Sequence, residues 1–272
     1  TGRSRSAQPR FFLRLPLAGA RKPRYRPAMR PLLLLSNDDG YLSPGLRAFR
    51  LAAATWADVV VVAPATEKSA ASHALSLHAP LRIERVEDGV FALDGTPADC
   101  IYVALHSGVR LLPRRPDLVI SGVNKGLNLG QDPFYSGTVA AAREAALRGI
   151  PGFAASADRG ADYDQVAALA SNLAKKLLES GKKSLLSLNV PARWDGSVRT
   201  AHLGWRQYEE VVYYREDPRG KEYLWLGGPG CTHAPDPGSD TEAYDAGAAT
   251  LTPLVLNLTH HGEMEFAQSL LT

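Results

Sequence analysis

The chain has 272 residues, 45% of them hydrophobic, which is enough apolar mass for one large or two modest domains. No apolar run approaches the length of a membrane span, and two cysteines, Cys100 and Cys231, exclude both a disulfide scaffold and a zinc-binding spacing. The net charge of +3 comes from the first thirty residues, which carry nine Lys or Arg and no acid; from Pro31 onward 22 bases face 28 acids, a net −6 that argues against a nucleic-acid surface. Residues 1–28 therefore read as a basic extension outside the fold, with Met29 standing where a natural start would fall. Unpaired cysteines and the lack of a secretory pattern predict a cytoplasmic location with no membrane partner.

In chain order, the first predicted element is a strand over Leu32–Leu35, four leucines bounded by turn formers and so buried on both faces. It opens into Asn37-Asp38-Asp39-Gly40. Ser43-Pro44-Gly45 leads into a helix over Leu46–Thr55, and Val59–Val62 forms a second buried strand ended by Ala63-Pro64. Strand, helix and strand in this order make a βαβ unit, hence a parallel sheet with right-handed crossovers. After a small, polar loop over Ala65–Ser72, the segments Leu81–Val86 and Val90–Leu93 flank a hairpin signal at Glu87-Asp88-Gly89. A helix runs from Gly95-Thr96-Pro97 to about His106, and Pro116–Ser121 is a third inner strand discharging into a long loop, Gly122–Gly137. A helix over Thr138–Arg148, a strand over Gly152–Ser156, an amphipathic helix over Tyr163–Ser180 and a last clear core strand over Ser184–Val190 complete a catalytic core at 29–190. In 191–272 aromatic residues fall among hairpin-like segments, the composition of a subunit interface or of strands packed on the core. The expected fold class is α/β: a three-layer, Rossmann-like, mostly parallel sheet with a C-terminal β-hairpin and tail as an assembly region.

Ligands of an open parallel sheet bind outside the carboxyl ends of its strands. Three predicted loops leave such ends with unusual polar content: Asn37, Asp38 and Asp39; Ser69, Ser72 and His73; and Ser121, Asn124, Asn128, Ser136 and Thr138. Adjacent carboxylates repel one another and are costly to bury, so Asp38 and Asp39 read either as ligands of a hard cation or as part of an Asx turn closed by Gly40. Two carboxylates joined by hydroxyl and amide oxygens form an oxygen-only partial shell that suits Mg²⁺ or Mn²⁺. Ser136-Gly137-Thr138 opens a predicted helix, where N–H groups and hydroxyls either hold a phosphate or provide a plain N-cap. A cation site beside an anion site points to phosphoryl transfer, with Asp38 or Asp39 accepting the proton of the attacking water. His73 either assists proton transfer or packs and caps. Two rival readings are an aspartyl-phosphate formed on Asp38 and a nucleotide-binding regulator without turnover. The glycines at 122, 126 and 130 do not make a dinucleotide fingerprint, and a Walker lysine-serine pattern is absent.

Four motifs together carry a family resemblance. Asn37-Asp38-Asp39-Gly40 with Ser43-Pro44-Gly45, then Gly95-Thr96-Pro97-Ala98-Asp99-Cys100, the run from Ser121 to Gly130, and Ser136-Gly137-Thr138-Val139-Ala140-Ala141 resemble the stationary-phase survival protein SurE family. Asp217-Pro218-Arg219-Gly220, Tyr223-Leu224-Trp225 and Thr252-Pro253-Leu254 extend the likeness over about Met29 to Thr259, in the family's order. The resemblance implies a metal-dependent 5′-nucleotidase that releases phosphate from nucleoside 5′-monophosphates, with 3′-nucleotides and short polyphosphate as open additions. It implies one divalent cation per subunit, Mg²⁺ or Mn²⁺, on Asp38, Asp39, Ser69 and Asn124, and phosphate or substrate contacts from Asn37, Asn128, Ser136, Gly137 and Thr138. A homodimer or homotetramer built through the C-terminal region is implied as well, with no nucleic-acid partner. Two positions depart from the family pattern: Ser69-Ala70 stands where the family usually has Ser-Gly, which makes that loop's backbone less permissive, and Ser187 stands where one of two asparagines before Pro191 is usual.

Overall fold

The computed structural model describes residues 29–209, 211–228 and 230–271; the basic segment 1–28 lies outside the described residues. Strand β1 (Leu32–Ser36) is an inner strand of a nine-stranded sheet. Its leucines are all fully buried because they alternate between two cores: Leu33 and Leu35 face one helical layer, Leu32 and Leu34 the other. Helix α1 (Pro44–Ala54) leads to β2 (Asp58–Pro64), which pairs parallel to β1 from Leu32↔Asp58 to Leu35↔Val61, the βαβ unit expected from the sequence. The hairpin also forms, β3 (Ile83–Glu87) turning through two residues into β4 (Val90–Leu93), which lies parallel against β2.

Helix α2 (Pro97–His106) is opened by a capping box, the Thr96 side chain accepting from the Asp99 N–H while the Asp99 carboxylate accepts from the Thr96 N–H. Strand β5 (Leu118–Lys125) flanks β1 on its other side, and α3 (Gly137–Leu147), β6 (Gly152–Ala157), α4 (Tyr163–Glu179) and β7 (Leu185–Val190) follow as parallel βα units. Helices α1 and α4 cover one face of the sheet and α2 and α3 the other, giving three layers.

The rest of the chain returns to this frame. Short β8 (Val198–Thr200) and β9 (Arg206–Tyr208) precede an antiparallel hairpin of β10 (Val212–Glu216) and β11 (Glu222–Leu226), and β12 (Cys231–His233) pairs with β9. After α5 (Asp240–Asp245), β13 (Ala249–Leu254) inserts between β7 and β8, antiparallel to β7. A short α6 (Met264–Ser269) ends the described chain. The sheet order is β3-β4-β2-β1-β5-β6-β7-β13-β8, parallel except at β3–β4 and β7–β13.

Two elements differ from the sequence reading. The third inner strand does not stop at Ser121 but continues to Lys125, with a register shift after Ser121 before Asn124 and Lys125 pair with Ser156 and Ala157 of β6. The long loop after it is correspondingly shorter, beginning at Gly126. Strand β13 is the second difference: its Pro253 hides it from periodicity, yet it extends the core sheet beyond β7.

Candidate active site

The chemistry collects at the carboxyl ends of β1, β2 and β5. Chain leaving β1 turns sharply, and Asn37 closes the turn: its amide nitrogen donates to the Gly40 carbonyl at 2.9 Å and to the Ser43 hydroxyl at 2.7 Å. Ser43 in turn caps α1 by accepting from the Leu46 N–H. With Asn37 in the turn role, both aspartates are left to face outward from it. Asn37 Oδ1 is buried without a hydrogen-bond partner, an acceptor aimed at nothing in the protein.

Asp38 is almost wholly buried and faces the start of α3, where the Thr138 N–H donates to Oδ2 at 3.2 Å and the Thr138 hydroxyl donates to Oδ1. Gly137 makes this approach possible: a Cβ there would lie 2.9 Å from Asp38 Cβ and 3.2 Å from Oδ2. Asp39 is less buried, and its Oδ2 accepts from the Lys125 N–H at 2.9 Å, the bond that the extension of β5 supplies. Burial pushes the Asp38 carboxyl up from 3.8 to about 6; the Thr138 hydroxyl opposes the rise and the charge of Asp39 adds to it. Asp39 is raised as well, by burial and by the nearby charge of Glu67, against the pull of the Lys125 N–H and of the charge on the Lys125 side chain. Hydrogen bonds, but no cationic side chain, hold the Asp38 charge down.

The second loop reaches the same place. The Lys68 N–H donates to the Asp38 carbonyl at 2.7 Å, and the Ser72 N–H donates to the carbonyl of Tyr135, one residue before the α3 cap. Ser69 is exposed, its hydroxyl donating to Glu67 at 2.7 Å, and Asn124 donates to the Gly126 carbonyl at 2.9 Å. Ser136 accepts from the Val139 N–H and is an N-cap, and since Asp38 takes the Thr138 N–H, the Gly137 N–H is the first-turn donor of α3 left without a partner among the described residues. Asn128 points away from the carboxylates: its amide donates to Ser156 at 2.8 Å, and its own N–H is accepted by Asn189. His73 is not aimed at the carboxylates either. Its Nε2 lies 2.9 Å from the buried Glu144 on α3. Burial works to raise Glu144, but hydrogen bonds from His73 and Arg148 outweigh it and hold the carboxyl below its usual range.

The C-terminal segment supports the third loop. Buried Asp240 accepts from the Gly130 N–H at 3.0 Å and the Gly204 N–H at 2.8 Å, while Asp132 pairs with Arg206 and accepts from the Tyr208 hydroxyl at 2.6 Å. Sequence reading missed Lys125 and Asp240. A backbone donor leaves no trace in residue type, and Asp240 looks like any acid in the first turn of a helix.

Among the described residues there is no group of three or more His, Cys, Asp or Glu side chains able to hold a metal. What these loops offer is oxygen: two adjacent carboxylates with raised protonation, the orphaned Asn37 Oδ1, and the hydroxyl and amide oxygens of Ser69 and Asn124. This donor set fits a hard divalent cation. A helix start set against such carboxylates at the strand ends of an open sheet is an arrangement found in α/β enzymes that handle phosphate groups.

The comparisons with known proteins are specific. The chain belongs to the SurE family: the family model described as "Survival protein SurE" matches residues 33–210. It is 61% identical over 236 residues to the 5′-nucleotidase SurE of Sorangium cellulosum, covering 85% of this chain and 92% of that protein. With the 5′-nucleotidase SurE of Syntrophotalea carbinolica it shares 43% over 240 residues, 86% of this chain and 95% of that one. The crystal structure of the SurE protein from Aquifex aeolicus superposes with a TM-score of 0.76 at 35% identity, over 89% of this chain and all of that one.

Proposed function

We propose that this 5′-nucleotidase of the SurE family hydrolyses nucleoside 5′-monophosphates where β1, β2 and β5 end, with one divalent cation, Mg²⁺ or Mn²⁺, held by Asp38, Asp39, Ser69 and Asn124. The observation that carries the reading is the pair of adjacent carboxylates at the strand ends, tied to the start of α3 and the end of β5 through Thr138 and Lys125 and raised chiefly by burial, an arrangement that calls for a further positive charge. When bound, the cation supplies that positive charge and orients phosphate oxygens. The chain's own residues do the rest. The Gly137 N–H at the start of α3, left over where Asp38 takes the Thr138 N–H and Ser136 takes that of Val139, meets the phosphate at the positive end of the helix dipole. Thr138 fixes Asp38 through both carboxylate oxygens. Asp39, more open to solvent and with Oδ2 already tied to Lys125, takes the proton of the attacking water at Oδ1. Asn37 acts through the turn that presents both aspartates, and Asn128 through the loop it pins to β6 and β7. Phosphate release from adenosine 5′-monophosphate, its 3′ isomer and short polyphosphate, each with Mn²⁺, with Mg²⁺ and with EDTA, tests the reading. Turnover that survives EDTA would overturn the metal assignment, and no release from any nucleotide would overturn the activity.

Thr138→Val keeps shape and helix but removes the hydroxyl aimed at Asp38. A lost hydrogen bond to a charged group is about 1.5–3 kcal/mol, so kcat/KM should fall roughly tenfold or more. Because that hydroxyl holds a proposed ligand, the Mn²⁺ concentration for half-maximal activity should rise too. An unchanged Mn²⁺ midpoint would confine Thr138 to the phosphate.

Exposed apolar side chains on both sides of the β10–β11 hairpin and on the tail support assembly: Tyr214 and Leu226, 60% and 82% exposed, lie on one side, Trp225, 64% exposed, on the other, and Leu258, Phe266 and Leu271 are open as well. We assign these surfaces to a second copy of the chain, in a homodimer or homotetramer. Trp225→Glu should shift the sedimenting species toward monomer; the same mass for both proteins would remove the hairpin from the interface. Among the described residues no helix is long and apolar enough to cross a membrane, and Cys100 and Cys231 are unpaired, which supports a cytoplasmic setting.

A further inference from the structure

The loop joining β2 to β3 carries Ser69, and it holds two non-glycine residues in the left-handed region, Ala70 at φ 56° and Ser72 at φ 51°. Such residues persist where surrounding contacts over-determine the backbone, and they cluster at sites where the strained geometry is used. The contacts that hold this loop come in sequence. Lys68 N–H bonds Asp38 on its near side and Ser72 N–H bonds Tyr135. Immediately beyond, His73 Nε2 lies 2.9 Å from Glu144 Oε2, and further on the Ser76 N–H and hydroxyl donate to Asp99 at 2.9 and 2.7 Å.

Glu144 is an unusual anchor. Its side chain is only 2% exposed, it sits on the same helix whose first turn faces Asp38, and its other oxygen is already fixed by Arg148, with Nε at 3.0 Å. His73, 21% exposed, is thus the side chain that ties the strained loop to a rigid, pre-oriented acceptor inside the protein. We propose that His73 is a positioning residue: the His73–Glu144 pair latches the Ser69 loop onto α3 and so sets the Ser69 oxygen beside Asp38 and Asp39 for the cation. The inference rests on the metal reading proposed above. It removes His73 from proton transfer, because the ring nitrogen that reaches a partner reaches Glu144 and not the carboxylate pair.

His73→Leu and His73→Gln separate these roles, read by calorimetric titration of Mn²⁺ into the metal-free protein, by its melting temperature, and by kcat and KM at saturating Mn²⁺. Glutamine keeps a donor that can reach Glu144 and leucine does not. For a latch, His73→Leu should weaken Mn²⁺ binding tenfold or more, His73→Gln should stay within about threefold of wild type, and both should approach wild-type kcat once Mn²⁺ saturates. Should His73→Leu fail to fold, His73→Asn, too short to reach Glu144, takes its place with the same expectation. Unaltered Mn²⁺ affinity in the leucine or asparagine variant overturns the latch while leaving the metal reading intact. Equal loss of kcat in the Leu and Gln variants at saturating Mn²⁺ returns His73 to proton transfer and overturns it as well. A wild-type protein that takes up no Mn²⁺ overturns the metal reading and the latch together.

Discussion

Asp38→Asn is expected to abolish phosphate release while leaving the metal-free protein at least as stable as wild type. Burial lifts the Asp38 carboxyl from 3.8 to about 6, so at neutral pH the folded chain holds a charge it would rather neutralise. A shift of about two units corresponds to about 3 kcal/mol. The sign follows from linkage: a carboxyl bound more tightly to its proton in the folded state contributes stability in full below pH 3.8, and loses it as pH rises through about 6. Metal-free wild type should therefore melt progressively lower than Asp38→Asn across that window, by several degrees at pH 7. The loss of one Thr138 N–H contact, where the amide now meets a donor, trims the gain. Mn²⁺ should raise the wild-type melting temperature by mass action and the variant's far less. If the variant melts lower without metal, keeps its activity and shows the full Mn²⁺ shift, Asp38 is a turn residue and the site is wrongly placed.

Gly45→Ala should be among the most damaging single methyl groups near the site. Glycine at the second position of α1 lets the helix press on β5: a Cβ there would stand 2.0 Å from the Val123 carbonyl oxygen and 3.0 Å from its carbon, both backbone atoms of a fully buried residue. Neither can rotate away. Alanine gains roughly 0.5–1 kcal/mol in helix propensity, while overpacking costs about 1–3 kcal/mol and more against backbone. The overpacking wins. We expect a melting temperature lower by roughly 4–10 °C, and a further loss of kcat/KM at temperatures where the variant is folded, because Lys125, two residues on, would be drawn away from Asp39. An unchanged melting temperature would mean that β5 yields freely at Val123.

Both residues were visible in the sequence, but for different reasons than the structure gives. The frame was legible wherever burial is two-sided and uniform: the leucines of β1 and the valines of β2 can be nothing but inner strands, and Asp88-Gly89 marks its hairpin without help from tertiary structure. Asp38 and Asp39 stood out because adjacent acids at a strand end are hard to explain otherwise. What remained hidden depends on contacts between distant segments. The continuation of β5 through Gly122 is paid for by pairing with β6, and Thr138 declares itself as the partner of Asp38 only when α3 is set against β1. His73 could be read three ways from sequence, and its partner Glu144, 71 residues away, is visible only in the folded chain.

The placement of β13 has a consequence for how the chain is made. Between the end of β7 at Val190 and the end of β13 at Leu254 lies the whole hairpin region, yet these two strands are neighbours in the sheet. During synthesis at about 5–20 residues per second, β7 waits on the order of 3–13 s for its partner. Through that interval a buried-type strand of leucines presents an open row of backbone donors and acceptors to the cell, the kind of edge that another nascent chain can join. Ser187 and Asn189, polar residues in that strand, make the waiting edge less adhesive than Leu185, Leu186, Leu188 and Val190 alone would be.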